Sequence, residues 1–254
     1  MLFFESFLVA LATYSSIPVP QFEWNERNMK YAICFFPAVG VACGGALFLW
    51  YALSARLGVS GLLFAAVAVC LPLLITGGIH MDGFMDTVDA LASHQPRERK
   101  LEILKDSHCG AFAVIYCVVY VLLSFGLLYE LYARREIAVL CPAFILSRSL
   151  SAFCAVTMPN ARKAGMLCAY TEKTEKTKAA AAAILLALSS SGGMVLLSPV
   201  SGLAAAACGL MTMLFYRRMT MKQFGGVTGD TSGFFLQLCE LAVLLGAWAG
   251  GLLR

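Results

Sequence analysis

Charged residues are scarce in this sequence. They make up 13% of its 254 residues, whereas 60% of the residues are hydrophobic and the mean hydropathy is +0.78. A soluble domain of this length needs more polar side chains to cover its surface. The composition therefore excludes an ordinary soluble domain and predicts an integral membrane protein.

Paired cysteines and hydrolase motifs are also lacking. The ten cysteines are scattered singly, with no CxxC pair and no Cys/His spacing typical of a metal site. We interpret them as small apolar residues. The sequence has no GxSxG motif and no Ser-His-Asp order, which leaves acyl hydrolysis without support.

Long apolar stretches, in contrast, recur along the whole sequence. A helix needs roughly 20 residues to cross about 30 Å of hydrocarbon. Seven such stretches lie near residues 31–54, 58–79, 110–133, 136–158, 178–197, 199–216 and 233–253. They predict an all-α fold, a polytopic helical bundle that forms a single integral membrane domain over residues 1–254.

Two shorter features refine this picture. The fifth and sixth stretches are separated only by Ser198 and Pro199, which predicts a tight helical hairpin. Residues 2–13 are apolar but too short to span a bilayer, so we expect an interfacial or re-entrant segment there.

Basic residues are distributed unequally among the loops. If the N-terminus lies in the cytoplasm, the inner loops carry 14 of the 19 Lys and Arg residues. This bias follows the positive-inside rule and predicts an inner N-terminus and an outer C-terminus. Topology then explains the net charge of +4, so the lipid bilayer is an expected partner and nucleic acid is not. Nothing in the sequence indicates the oligomeric state.

All five aspartates fall in these inner loops, and three lie in the segment GGIHMDGFMDTVDAL at residues 77–91. Asp82, Asp86 and Asp89 are spaced i, i+4 and i+7, which places their carboxylates on one face of a helix. Such close like charges repel unless a cation lies among them. Mg²⁺ prefers a few carboxylates together with water and substrate phosphates. We therefore predict a magnesium site at this aspartate stripe; solvated carboxylates past a helix end are the alternative.

Glycines and a histidine surround the aspartate stripe. Gly77, Gly78 and Gly83 would let the backbone approach a ligand closely, so they are candidates for substrate binding. His80 is a candidate catalytic residue, although a local hydrogen bond is an equally simple role for it.

Two further inner segments carry polar groups. In ILKDSHCGAF, Lys105 and Asp106 come just before the third stretch. In KQFGGVTGDTSG, at residues 222–233, Asp230 is a further candidate metal ligand. Backbone N–H groups of the same loop can cradle phosphate, at Gly225, Gly226 and Gly229. The alternative is a plain glycine turn, because the pattern is neither a Walker motif nor GxGxxG.

Charged residues inside the apolar stretches are costly in hydrocarbon and should face the protein interior. Arg148 and Glu240 are of this kind. They either pair with one another for structural reasons or, in the case of Arg148, hold a phosphate through the planar guanidinium. Arg162, at the inner surface, is either a solvated loop charge or a substrate contact.

From the residues alone, these features indicate a membrane enzyme that binds Mg²⁺ and handles a phosphate or diphosphate substrate. CDP-alcohol phosphotransferases also have Asp-Gly before spaced aspartates, but DGFMDTVD lacks their Ala-Arg pair and longer spacing. Intramembrane prenyltransferases use aspartate pairs, yet their Asn-Asp opening is absent. A small transporter is the least favoured alternative, because its carboxylates are expected near mid-membrane.

Five segments resemble the cobalamin synthase family, adenosylcobinamide-GDP ribazoletransferase. They are SSIPVP, FPAVGVACGG, TGGIHMDGFMDTVDAL, ILKDSHCGAF and FGGVTGDTSG, in the order of that family and between about residues 8 and 245. The pattern HMDGFMDTVDA is the signature segment of the family. Four residues match it position by position, namely His80, Asp82, Asp86 and Asp89.

The resemblance implies a Mg²⁺-dependent phosphoryl transfer in a bacterial or archaeal cytoplasmic membrane. A ribose hydroxyl of α-ribazole, or of its 5′-phosphate, attacks adenosylcobinamide-GDP at the phosphorus nearer the corrinoid, so that GMP is released and adenosylcobalamin or its 5′-phosphate forms. We predict His80 and Asp82 as catalytic residues. The predicted metal ligands are Asp82, Asp86, Asp89 and Asp230. The predicted substrate-binding residues are Gly77, Gly78, Gly83, Lys105, Asp106, Arg148, Arg162, Gly225, Gly226, Gly229 and Glu240.

Overall fold

The protein is a bundle of α-helices. The computed structural model describes residues 2–20, 25–106, 108–163 and 165–253, and within these ranges it contains no strand, only an isolated bridge between Asn160 and Val227. The helices are α1 Leu2–Tyr14, α2 Glu26–Met29, α3 Ala32–Leu57, α4 Gly61–Thr76, α5 Ile79–Ala92, α6 Arg97–Ile103, α7 Ala111–Ala133, α8 Leu140–Thr157, α9 Met166–Lys173, α10 Lys176–Leu197, α11 Pro199–Gln223 and α12 Gly229–Leu252. A short 3₁₀ turn, Ile137–Val139, leads into α8.

Six segments of the described chain are long and apolar enough to cross a membrane. They are α3, α7, the 3₁₀ turn together with α8, α10, α11 and α12, and a seventh crossing is obtained if α4 and α5 count as one broken span. The predicted polytopic helical bundle is thereby confirmed. The predicted hairpin is also present, since Ser198 alone separates α10 from α11.

The second predicted stretch, 58–79, differs from the structure. Its helix ends at Thr76, and α5 leaves at an angle of 94° to α4. Gly77 and Gly78 form the bend with φ of 62° and 78°, values that favour glycine. Ser16 covers the end of α4, where its N–H donates to Ile75 O at 2.8 Å and its hydroxyl to Leu74 O at 2.6 Å. Carbonyls left free where a helix ends thus find partners.

Of the six candidate membrane-crossing segments, the one that contains α8 is the most buried, and α7 and α10 are the least buried. Gly40 and Gly44 let α3 approach α8 closely, because a Cβ atom on either glycine would lie within 2.5 Å of a carbonyl oxygen of α8. The outer faces of α7 and α10 expose large apolar side chains, among them Leu122 and Leu185. Such faces are compatible with lipid contact.

The helix termini divide between two ends of the bundle. At one end, Asp89 of α5 contacts the start of α7, and Lys30 pairs with Glu175 just before α10 at 3.0 Å. At the other end, the last turn of α12 approaches the loop before α8, where a Cβ on Gly251 would lie 3.4 Å from Glu136 Oε2. Arg162 contacts both Leu101 O and Asp230, and Lys100 contacts Gln223. The described parts of the predicted inner loops therefore lie at the end of the bundle that holds the aspartates.

Candidate functional site

The candidate site lies where α5 crosses the first turns of α12. Two glycines make this crossing close. A Cβ on Gly83 would lie 2.8 Å from Asp230 O, and a Cβ on Gly233 would lie 2.8 Å from His80 O. Each of these contacts is with backbone, so neither position accepts a side chain without a helix shift. Gly83 therefore allows another part of the chain to approach its backbone closely, and that part is the first turn of α12.

The crossing brings carboxylates from two distant segments together. Asp86 is half-buried and experiences the negative charges of Asp82, Asp89 and Asp230. Asp82 is exposed and Asp230 is half-buried at the start of α12. The aspartate stripe and the glycine loop, separated by some 140 residues of chain, therefore form one acidic site.

Arg162 provides a positive charge beside this acidic site. Its guanidinium lies 3.3 Å from Asp230 Oδ2 and donates to Leu101 O at 3.0 Å. The side chain is only 21% exposed, so it is not a freely solvated loop charge. The structure thus places Arg162 beside the acidic site, and its contact with substrate stays a prediction.

Asp89 has a structural role in addition to its place in the stripe. Its two carboxylate oxygens accept hydrogen bonds from Gly110 N at 2.6 Å and Ala113 N at 2.8 Å. These are N–H groups at the start of α7, which have no partner within their own helix. Asp89 thus caps α7 and fixes it against α5.

His80 is buried in the first turn of α5, with 5% of its surface exposed. Its ring meets the Phe36 ring edge-to-face, with centroids 5.7 Å apart. Its Nε2 has no hydrogen-bond partner among the described residues. A buried nitrogen of this kind is available to a ligand.

A cavity adjoins His80, Asp82 and Asp230 between α1, α3, α5, α8, α9 and α12. Its enclosed volume is about 190 Å³, several times that of one water molecule. We call it the α1–α12 cavity. Its lining includes Gly229 and the polar residues His80, Asp82, Ser151, Asp230 and Ser232.

The glycine loop is largely occupied by packing. Gly225 has φ of 74°, and a Cβ on Gly226 would lie 2.3 Å from Pro159 O. The N–H groups of Val227 and Thr228 donate to Pro159 O and to Thr231 Oγ1, both at 2.9 Å. In contrast, Gly229 begins α12, lines the cavity and has open space around its Cβ position. Of the three glycines predicted to cradle phosphate, Gly229 is the one with open space at its Cβ position; phosphate binding by this loop stays a prediction.

Lys105 and Asp106 lie on the exposed loop between α6 and α7. Lys105 lines a separate surface depression together with Arg162 and Lys163. Asp106 pairs with His108 at 2.6 Å, and this hydrogen bond lowers the pKa of the Asp106 carboxyl. The structure does not bring these two residues into the α1–α12 cavity.

Arg148 and Glu240 pair with one another inside the bundle, where they are 1% and 8% exposed. Arg148 Nη1 also donates to Ser147 Oγ at 3.0 Å and to Phe144 O at 3.2 Å. Arg148 Nη2 donates to Cys43 Sγ of α3 at 3.8 Å, and Nε has no partner among the described residues. The structure favours mutual pairing over a phosphate contact for Arg148.

Two cations of α6 were not predicted as site residues. The Arg97 guanidinium lies against the glycine loop, because a Cβ on Gly225 would lie 1.8 Å from Arg97 Cζ. Lys100 is 7% exposed and hydrogen-bonds the side chain of Gln223. In the sequence both belong to the basic cluster PRERK. The position of this cluster shortly after the aspartate stripe is the signal that could have indicated them.

Known protein families include one that matches nearly the whole chain. A family model described as Cobalamin-5-phosphate synthase matches residues 6–248. The chain belongs to this family.

Relatives of the cobalamin-5-phosphate synthase family carry the name adenosylcobinamide-GDP ribazoletransferase. The protein of Lachnoclostridium phytofermentans is 39% identical over 241 residues, which cover 95% of this chain and 92% of the relative. The protein of Desulfitobacterium hafniense is 36% identical, with 94% and 95% covered. The protein of Clostridium botulinum is 31% identical, with 96% and 97% covered. No solved structure matches the chain.

Membership in the cobalamin-5-phosphate synthase family confirms the resemblance predicted from the five segments. It identifies the chain as a transferase of cobalamin synthesis. The matched region contains all the residues that line the α1–α12 cavity, and it contains the whole α5–α12 crossing.

Proposed function

We propose that this protein joins adenosylcobinamide-GDP to α-ribazole, or to its 5′-phosphate, at the α5–α12 crossing. A ribose hydroxyl oxygen forms a bond to the phosphorus nearer the corrinoid. The bond from that phosphorus to the bridging oxygen of the diphosphate breaks, and GMP leaves with the electron pair. The products are adenosylcobalamin or its 5′-phosphate, and GMP.

The observation that carries this proposal is the meeting of Asp82, Asp86 and Asp230 beside a cavity in a chain of this family. Phosphoryl transfer depends mainly on positioning and on stabilising the charge of the phosphate oxygens. Two helices held together at Gly83 and Gly233 supply a rigid frame for that task.

The acidic residues suit Mg²⁺, a hard cation that takes oxygen ligands. Among the described residues, no group of three or more His, Cys, Asp or Glu side chains is arranged to hold a metal ion by itself. Mg²⁺ commonly uses one or two carboxylates and completes its shell with water and substrate phosphates. We assign Asp82, Asp86 and Asp230 as the residues that would hold it. Bound there, Mg²⁺ would neutralise charge on the diphosphate.

The remaining roles belong to side chains around the cavity. His80 Nε2 is buried without a partner, and we assign it as the acceptor of the ribose hydroxyl proton. The positive end of the α12 dipole, at Gly229, faces the same cavity and favours phosphate oxygens there. Arg162 and Arg97 flank the glycine loop and would bind the GMP part of the diphosphate.

We place this site on the cytoplasmic side of the membrane, with the N-terminus inside and the C-terminus outside. The supporting observation is the concentration of basic residues in the loops at the site end of the bundle. Nucleotide substrates are available on that side.

The proposal is tested by incubating purified protein in lipid nanodiscs with adenosylcobinamide-GDP, α-ribazole and Mg²⁺. Mass spectrometry should detect GMP and adenosylcobalamin in equal amounts. A parallel reaction with α-ribazole 5′-phosphate should give adenosylcobalamin 5′-phosphate. Absence of GMP from both reactions would refute the proposed activity.

A further inference from the structure

We propose that the α1–α12 cavity binds α-ribazole, with its benzimidazole base against the apolar lining residues and its ribose toward His80. This inference rests on the proposed function and specifies which of the two substrates enters the bundle. Adenosylcobinamide-GDP would then approach from the mouth, where Asp82 and Asp230 lie.

The cavity has both an apolar and a polar lining. Its apolar residues include Ile33, Phe36, Ala152, Ala155 and Leu236, each of them no more than 6% exposed. A ligand that fills the whole cavity must therefore carry both an apolar and a polar part. A benzimidazole attached to ribose has this character.

Aromatic rings form one wall of the cavity. The Tyr14 and Phe36 rings lie 4.4 Å apart between centroids, and Phe36 in turn contacts the His80 ring. Flat heterocycles pack favourably against such rings in stacked or edge-to-face arrangements. The position of Phe36 next to His80 would also place the ribose of a stacked nucleoside at the unpartnered Nε2.

The lining discriminates between the two nucleosides of the reaction. Guanine carries several donors and acceptors on its edges, and burial beside Ile33, Ala155 and Leu236 would leave them unpaired, which is unfavourable. Dimethylbenzimidazole attached to ribose keeps a single ring nitrogen as acceptor and two methyl groups that gain from apolar burial. The corrinoid macrocycle is excluded by size from a cavity with an enclosed volume of about 190 Å³.

A pair of matched variants on α8 tests this assignment. Ala155 lines the α1–α12 cavity, whereas Ala143 lines a different cavity beside Glu240, and both are 6% exposed. In nanodiscs, Ala155→Leu should raise KM for α-ribazole by about tenfold or more, and change KM for adenosylcobinamide-GDP less than about twofold. Ala143→Leu should change neither value. Phe36→Leu, which shortens the aromatic wall, provides a second test if Ala155→Leu does not fold.

Equilibrium binding separates this inference from the proposed function. α-Ribazole alone, without the second substrate, should bind the parent protein and bind Ala155→Leu or Phe36→Leu at least about tenfold more weakly. Binding of this kind in a protein that releases no GMP would refute the reaction and leave the cavity assignment intact. An increase in KM for adenosylcobinamide-GDP only, or unchanged affinity for α-ribazole in the folded variants, would overturn the assignment.

Discussion

Two aspartates on the same face of α5 differ in what surrounds them. Asp82 is exposed at the cavity, whereas Asp89 is held by two backbone N–H groups of α7. The spacing in the sequence predicted the shared face correctly. The capping role of Asp89 could not be predicted, because its partner Gly110 lies 21 residues away along the chain and meets it only through tertiary packing.

The first prediction distinguishes these two aspartates. Asp89→Ala should lower the free energy of unfolding by about 1 kcal/mol, since it removes the cap of α7. Asp82→Asn should leave stability unchanged or slightly higher, because it relaxes like-charge repulsion, and should reduce GMP release by about 100-fold. Unfolding in detergent and the initial rate of GMP release measure the two effects. Equal effects of both substitutions on stability would contradict this distinction.

The second prediction concerns two glycines of the same site. Gly229→Val meets open space in the protein, so the variant should fold normally and lose turnover because it obstructs a phosphate at α12. Gly83→Ala should instead destabilise the protein, since its Cβ would lie 2.8 Å from backbone of α12. Melting temperature and GMP release should be measured for both. Full activity of a folded Gly229→Val variant would contradict the binding of a substrate phosphate at the start of α12.

At the scale of helices, hydropathy predicted where the crossings lie but not how α4 ends. The stretch 58–79 is continuously apolar, and composition carries no information on the positive φ values of Gly77 and Gly78 that bend the chain by 94°. From the sequence, Gly77 and Gly78 are predicted to bind substrate. Their observed role is to turn α5 across α12, which creates the site.

The third prediction addresses the contact between α8 and α12. Arg148→Met alone should lower the free energy of unfolding by about 3–5 kcal/mol, because Glu240 is left buried and unpaired. The double variant Arg148→Met/Glu240→Leu should recover most of that loss and retain GMP release. Thermal unfolding of both variants in nanodiscs is the measurement. A stable but inactive double variant would instead indicate a substrate contact.

At the scale of the whole molecule, the positive-inside bias and the folded bundle agree in their grouping of loops. The basic loops, the aspartates and the cavity mouth lie at one end, and the last turn of α12 lies at the other. The sequence located the acidic residues of the site. It could not show the apolar lining of the cavity, because Phe36, Ala155 and Leu236 resemble ordinary residues of a membrane helix until the fold brings them together.

The fourth prediction follows from this arrangement. A reporter fused to the C-terminus should lie outside the cytoplasm, and one inserted in the loop between α6 and α7 should lie inside. Alkaline phosphatase and green fluorescent protein fusions at both places measure this directly. A C-terminal reporter on the cytoplasmic side would require an even number of crossings and would contradict the seven-crossing arrangement.

The central claim is that carboxylates of α5 and α12 act together on a diphosphate with Mg²⁺. It is tested most directly by the Mg²⁺ dependence of GMP release from adenosylcobinamide-GDP and α-ribazole in the parent, Asp86→Asn and Asp230→Asn proteins. The parent should lose activity in EDTA and regain it with Mg²⁺. Each variant should need a higher Mg²⁺ concentration than the parent, and its maximal rate should be lower than that of the parent by about 100-fold or more. GMP release that persists in EDTA, or variants with the rate and Mg²⁺ requirement of the parent, would contradict the claim.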